Sequence, residues 1–211
     1  MISKLQYISQ GKTSEEQLKN IQDALEGGCN WIQLRFKNCE EKQLMALAFE
    51  VKKLCSAYKA TFIINDHVQI AKLVDTDGVH LGLTDMKISD ARKILGNKII
   101  GGTANKMEDV RCLMDDGVGY IGLGPYRFTT TKEKLNPILG LEGIRSIAEK
   151  FKNQIPIIAI GGIKLEDVEL LMQTGIYGVA VSSAINFAED KSERIKKIYH
   201  ELHEFSRIKL V

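Results

Sequence analysis

Tyr120-Ile121-Gly122-Leu123-Gly124-Pro125-Tyr126-Arg127-Phe128-Thr129-Thr130-Thr131-Lys132 decides how this chain is read. A short apolar run, Tyr120 to Leu123, ends at Gly124-Pro125 and leads into three consecutive hydroxyls and a lysine. An apolar run of this length closed by turn residues predicts a strand covered on both faces. The polar segment behind it suits anion binding, because threonine hydroxyls, backbone N–H groups and a mobile ammonium all donate to phosphate oxygens. Threonine's branched Cβ restricts χ1, so three together outside a strand ask for a chemical reason. Taken alone, the segment also fits an exposed polar loop.

Outward from this stretch the same unit recurs. Apolar runs lie at Leu5 to Ile8, Trp31 to Leu34, Thr61 to Ile64, Gly78 to Leu81, Ile99 to Gly101, Pro156 to Ile160 and Gly178 to Val181. Segments with helical spacing separate them. Ser14-Glu15-Glu16-Gln17 predicts a serine-capped helix with Leu18, Ile21 and Leu25 on its apolar face. Others are expected at Glu40 to Tyr58, His67 to Val74, Ser89 to Leu95, Lys106 to Asp115, Gly143 to Phe151, Leu165 to Gln173 and Asp190 to Glu204. Gly27-Gly28, Gly117 and Gly175 stand where helices should stop. Eight strands alternating with eight helices predict an α/β fold, a single-domain parallel (β/α)8 barrel over residues 1–211. An open doubly wound sheet shares the pattern, but no GxGxxG follows the first strand, which argues against a dinucleotide site.

Composition narrows the function classes. In 211 residues, 29 basic and 27 acidic side chains nearly cancel without long blocks, so bulk charge argues for neither nucleic acid nor membrane. Cys29, Cys39, Cys55 and Cys112 share no metal-ligand spacing and no CxxC pair. Scattered thiols, and an N-terminus lacking an apolar leader, lead us to expect a soluble cytoplasmic protein.

In such barrels chemistry gathers at the C-terminal ends of the strands. There the chain offers Gln33-Leu34-Arg35-Phe36-Lys37, Asn65-Asp66, His80 to Gly82 with Asp85, Gly102-Thr103, Thr129 to Lys132, Gly161-Gly162 and Ser182-Ser183. Strand alternation points Gln33, Arg35 and Lys37 one way and Leu34 and Phe36 the other. Two cations and an amide on the inner side suit a bound polyanion, Arg35 as a planar fork and Lys37 as a point charge. Asp66 and Asp85, at adjacent strand ends, form an oxygen pair of the kind that holds Mg2+. Asp66 alone fits a helix cap equally well. Gly161-Gly162 with Ser182-Ser183 predicts a phosphate site after strands seven and eight. His80, between Val79 and Leu81, is expected to be a hydrogen-bonded core histidine.

With these residues in hand, the chain resembles the thiamine-phosphate synthase family. The resemblance covers nearly the whole length through Gln33-Leu34-Arg35-x-Lys37, Ile64-Asn65-Asp66, Asp77 to Gly82 with Asp85, Gly122-x-Gly124-Pro125 with Thr129-x-Thr131-Lys132, Ile160 to Ile163 and Gly178 to Ser183. It implies a barrel enzyme that joins a hydroxymethylpyrimidine diphosphate to a thiazole phosphate and releases diphosphate. Gln33, Arg35, Lys37 and Asn65 would hold the pyrimidine diphosphate, with Leu34, Phe36 and Thr103 alongside. Asp66 and Asp85 would bind Mg2+. Thr129 and Thr131 would meet the thiazole phosphate, with Thr130 between them, and Lys132 the diphosphate. Gly162, Ser182 and Ser183 would complete the thiazole phosphate site. Arg35, Lys37 and Lys132 would carry catalysis by stabilising the leaving group.

Three departures touch the expected pyrimidine pocket: Thr103 where serine is usual, Phe36 where a charged or smaller residue is frequent, and Leu83 where glutamine is common. Three other readings compete, of which a phosphate-binding isomerase or decarboxylase barrel calls for a Lys-Asp or Glu-Cys acid-base pair that the strand ends do not offer. A thiazole tautomerase on the same barrel uses a histidine just after strand six, where this chain has Pro125. A non-catalytic phosphate sensor has no need of Asp66 and Asp85 beside three cations.

Overall fold

Each apolar run becomes a strand hydrogen-bonded in parallel to its sequence neighbours, and the first strand closes onto the last. The computed structural model describes residues 2–128 and 137–208, with side chains through residue 203. The strands are β1 (Leu5–Ile8), β2 (Trp31–Leu34), β3 (Thr61–Asn65), β4 (Gly78–Leu81), β5 (Ile99–Ala104), β6 (Tyr120–Leu123), β7 (Ile157–Ile160) and β8 (Gly178–Val181). Between and after them run α1 (Ser14–Glu26), α2 (Glu41–Ala57), α3 (Val68–Val74), α4 (Ile88–Leu95), α5 (Met107–Asp115), α6 (Gly140–Phe151), α7 (Val168–Gln173), α8 (Ser183–Asn186) and α9 (Lys191–Ile208). The expected parallel (β/α)8 barrel is therefore present, and the open sheet is excluded by the β1–β8 pairing of Leu5 with Val179 and Tyr7 with Val181.

The local departures have physical reasons. Thr13, not Ser14, caps α1: its hydroxyl accepts from the Glu16 N–H at 3.2 Å, and Ser14 is already helical. The Leu165 to Gln173 segment opens with a 3-10 turn, Leu165–Asp167, before α7. The four-residue α8 was not expected, since Ser182-Ser183 reads as a polar strand end. Strand β5 runs on to Ala104 rather than stopping at Gly101, so Thr103 lies inside the strand.

Strand alternation splits the core into two layers. Leu5, Tyr7, Ile32, Leu34, Ile64, Val79 and their counterparts face outward and pack under the helices with Ile21, Leu25, Leu44 and Val51. Burying each such aliphatic side chain contributes roughly 2 kcal/mol. The barrel lumen is a smaller cluster of Ile8, Trp31, Ile63, Tyr120, Ile158 and Ala180. Two glycines make room for its large members. A Cβ on Gly101 would stand 2.1 Å from the Tyr120 ring, and one on Gly122 would stand 2.9 Å from the His80 ring. Gly101 and Gly122 therefore clear the rings of Tyr120 and His80.

Candidate active site

Strand β2 ends at Leu34, so Arg35 and Lys37 lie in the turn beyond it rather than on the strand. That turn is fastened from two sides. The Arg35 N–H donates to Ser9 Oγ at 2.9 Å, and the Arg35 carbonyl accepts from Gln17 Nε2 at 3.2 Å. Ser9 and Gln17 are both buried, and Gln17 also donates to the Gly11 carbonyl at 3.1 Å. Neither residue stood out in the sequence. The available signal for Gln17 was its place one helical turn before buried Ile21, on the inward face of α1. Leu34 and Phe36 turn their side chains into the shell beneath the helices. Lys37 is exposed.

Asn65 closes β3, and Asp66 follows with φ of 67°, a left-handed conformation that aspartate tolerates better than most residues. The Asp66 N–H donates to the His80 carbonyl at 2.9 Å, which ties the ends of β3 and β4 together. Lys37 Nζ stands 3.8 Å from Asp66 Oδ2. Asp85, just past β4, accepts from the Gly82 N–H at 2.6 Å and hydrogen-bonds Asp66. Burial, then contact with Asp85, pushes the Asp66 carboxyl up to about 7, against the pull of Lys37 and Arg35. Burial opposes ionisation of Asp85 too, but the hydrogen bonds from Asp66 and the Gly82 N–H hold it below the ordinary carboxylate range. Two carboxylates this close resist ionising together, so the pair favours holding one proton between them. Two half-buried carboxylates forced together in this way form a donor set that a divalent cation would relieve. Among the described residues no cluster of three or more His, Cys, Asp or Glu exists, so such an ion would draw its other ligands from water or substrate.

Gln33 and Thr103 stand on the inner wall, buried, at two ends of a side-chain chain across the lumen. Gln33 Nε2 donates to Gln6 Oε1 at 3.0 Å and Gln6 Nε2 to the Tyr120 hydroxyl at 3.3 Å. That hydroxyl lies 2.9 Å from His80 Nδ1, and His80 Nε2 lies 2.9 Å from Thr103 Oγ1. His80 is therefore the hydrogen-bonded core histidine its sequence context predicts.

On the far side of the mouth, Gly161 and Gly162 take φ of 98° and 67°, conformations that suit glycine. A Cβ on Gly162 would stand 2.9 Å from the Phe128 carbonyl oxygen, so the β6 and β7 loops touch there. Arg127 locks the contact: Nη1 reaches Asp167 Oδ2 at 2.7 Å, Nη2 reaches Asp167 Oδ1 at 2.8 Å, and Nη1 also donates to the Gly162 carbonyl at 3.1 Å. Ser182 Oγ donates to Gln10 Oε1 at 3.3 Å, and Ser183 is exposed at the start of α8. Thr129, Thr130, Thr131 and Lys132 lie outside the described residues.

Comparison with known proteins gives the family. A family model described as thiamine monophosphate synthase matches residues 5–185. The thiamine-phosphate synthase of Flavobacterium psychrophilum is 56% identical over 206 residues, covering 96% of this chain and all of that protein (100%). That of Flavobacterium johnsoniae is 54% identical over 207 residues, covering 96% and 98%. Among solved structures, the thiamine phosphate pyrophosphorylase of Pyrococcus furiosus superposes with a TM-score of 0.86 at 34% identity, covering 96% of each chain. A match over most of the length, with relatives of this identity, places the chain in the thiamine monophosphate synthase family.

Proposed function

We propose that this chain, a thiamine-phosphate synthase by family, joins 4-amino-2-methyl-5-(diphosphooxymethyl)pyrimidine to 4-methyl-5-(2-phosphooxyethyl)thiazole, or its carboxylated form, giving thiamine phosphate and diphosphate. The observation that carries this reading is the Asp66–Asp85 pair, half-buried together beside Lys37 and Arg35 at the ends of β2, β3 and β4. Residues 1–211 then act as one barrel domain with its active site at the C-terminal ends of the strands. Among the described residues no helix is long and apolar enough to cross a membrane, and four free thiols suit a reducing cytoplasm.

In this reading the bond between the pyrimidine methylene carbon and the diphosphate oxygen breaks first, and its electron pair leaves with diphosphate. The thiazole nitrogen then attacks the resonance-stabilised cation. Arg35, Lys37 and Lys132 receive the growing negative charge, while Gln33, Asn65 and Thr103 orient the pyrimidine. Leu34 and Phe36 contribute backbone contacts. Asp66 and Asp85 would hold Mg2+, which when bound neutralises charge on the diphosphate. Gly162, Ser182 and Ser183, with Thr129, Thr130 and Thr131, receive the thiazole phosphate. No step takes a proton from carbon, in keeping with a His80 whose two ring nitrogens are both engaged.

The test is diphosphate release with each substrate omitted in turn. Release that needs both substrates supports the synthase. Isomerisation of the thiazole without the pyrimidine would instead support a tautomerase.

A further inference from the structure

We infer that the buried chain from Gln33 to Thr103 has a fixed direction, in which Gln6, Tyr120 and His80 act as positioning residues that make the Thr103 hydroxyl a donor toward the barrel mouth. The direction follows from counting hydrogens. Gln6 Oε1 accepts from Gln33, so its amide nitrogen is the end that faces Tyr120 at 3.3 Å. A phenol oxygen that accepts there still has one hydrogen, and His80 Nδ1 stands 2.9 Å away to receive it. A neutral imidazole with Nδ1 accepting carries its hydrogen on Nε2, which donates to Thr103 Oγ1 at 2.9 Å. With its oxygen already accepting from His80, Thr103 has its own hydrogen to give.

Reversing the chain requires turning the amides of Gln6 and Gln33 together. The two rings in the middle of the chain are held in place: Tyr120 is fully buried, its ring packs edge-on against Trp31 at 4.9 Å, and Gly101 and Gly122 leave space that a side chain would take from Tyr120 and His80. The hydrogen that such a hydroxyl has to give recognises a hydrogen-bond acceptor, a bare ring nitrogen or an ester oxygen. Resting on the function proposed above, that acceptor belongs to the pyrimidine diphosphate.

Nitrogen-15 NMR of protein labelled at its four histidines tests the direction without any assay of function. The His80 signals are assigned by their loss in His80→Gln. The expected result is a hydrogen on Nε2 and a bare Nδ1, a preference that weakens in Tyr120→Phe. A hydrogen on Nδ1 in the parent protein overturns the proposal, whether or not the protein makes thiamine phosphate. Kinetics test the consequence. Tyr120→Phe should raise KM for the pyrimidine diphosphate about tenfold, with the KM for thiazole phosphate unchanged. Thr103→Val should do at least as much and Thr103→Ser little. The double variant Tyr120→Phe with Thr103→Val should be no worse than Thr103→Val alone, because one interaction is lost in both. Multiplying effects would contradict the coupling.

Discussion

Arg127 and Asp167 meet through two parallel hydrogen bonds, at 2.7 and 2.8 Å, that clamp the loop after β6 to the turn before α7. Asp167 is nearly buried and has further partners in the Lys164 N–H at 2.8 Å and the Tyr126 hydroxyl at 3.3 Å. Paired donors of this kind are stronger than neutral hydrogen bonds and fix orientation as well as distance. The clamp sets where Gly162 stands, and Gly162 belongs to the proposed thiazole phosphate site.

It also makes stability depend on acid. Burial works against Asp167 ionising, yet Arg127 and the Lys164 N–H hold its carboxyl below the ordinary value. A depressed carboxyl contributes stability above its unfolded pKa, near 3.9, and loses it as pH falls through the lower folded value. Asp167→Asn should cost roughly 2 kcal/mol near neutrality. The gap in Tm between parent and variant should close as pH is lowered from about 6 to about 3. A gap that stays constant with pH would show that charge is not what holds the clamp.

The Asp66–Asp85 pair should trade stability for function. Asp66→Asn and Asp85→Asn are each expected to lower turnover by about 100-fold or more at fixed Mg2+. In chelator, Asp66→Asn should leave Tm unchanged or raise it, because one of two crowded acids is gone. Turnover that survives removal of Mg2+ would count against the metal assignment.

Support of Arg35 should show in binding. Ser9→Ala removes the acceptor of the Arg35 N–H in a half-buried setting, at a cost of about 1 kcal/mol in stability. KM for the pyrimidine diphosphate should rise, by about tenfold, more than kcat falls. Steady-state kinetics with each substrate varied separately would reveal it.

A glycine inside β5 and one in the loop before β6 should divide sharply. Gly101→Ala places a methyl 2.1 Å from the Tyr120 ring and should destabilise by roughly 2–3 kcal/mol. Gly119→Ala meets nothing nearer than 3.7 Å and should change stability by about 0.5 kcal/mol or less. Thermal unfolding of the two variants makes the comparison.

Much of this fold was legible because parallel strands buried on both faces leave compact apolar runs. β1, β2, β4, β6 and β8 begin and end where those runs do. For β5 the apolar run ends at Gly101, while the strand continues through Gly102 and Thr103 to Ala104. In the barrel those glycines remain in the strand, one clearing Tyr120 and the other Leu113. The site was legible where charge sits at strand ends, as with Arg35, Asp66 and Asp85. Gln6, Ser9, Gln17 and Tyr120 were not, since their importance lies in partners that are distant in sequence. Gln6 and Tyr120, 114 residues apart, meet only when β1 and β6 face each other across the lumen.

The most direct measurement is to incubate the full chain with the pyrimidine diphosphate, the thiazole phosphate and Mg2+, and to quantify both products. One thiamine phosphate should form for each diphosphate released. A folded protein that forms no thiamine phosphate from these substrates would contradict the proposed reaction.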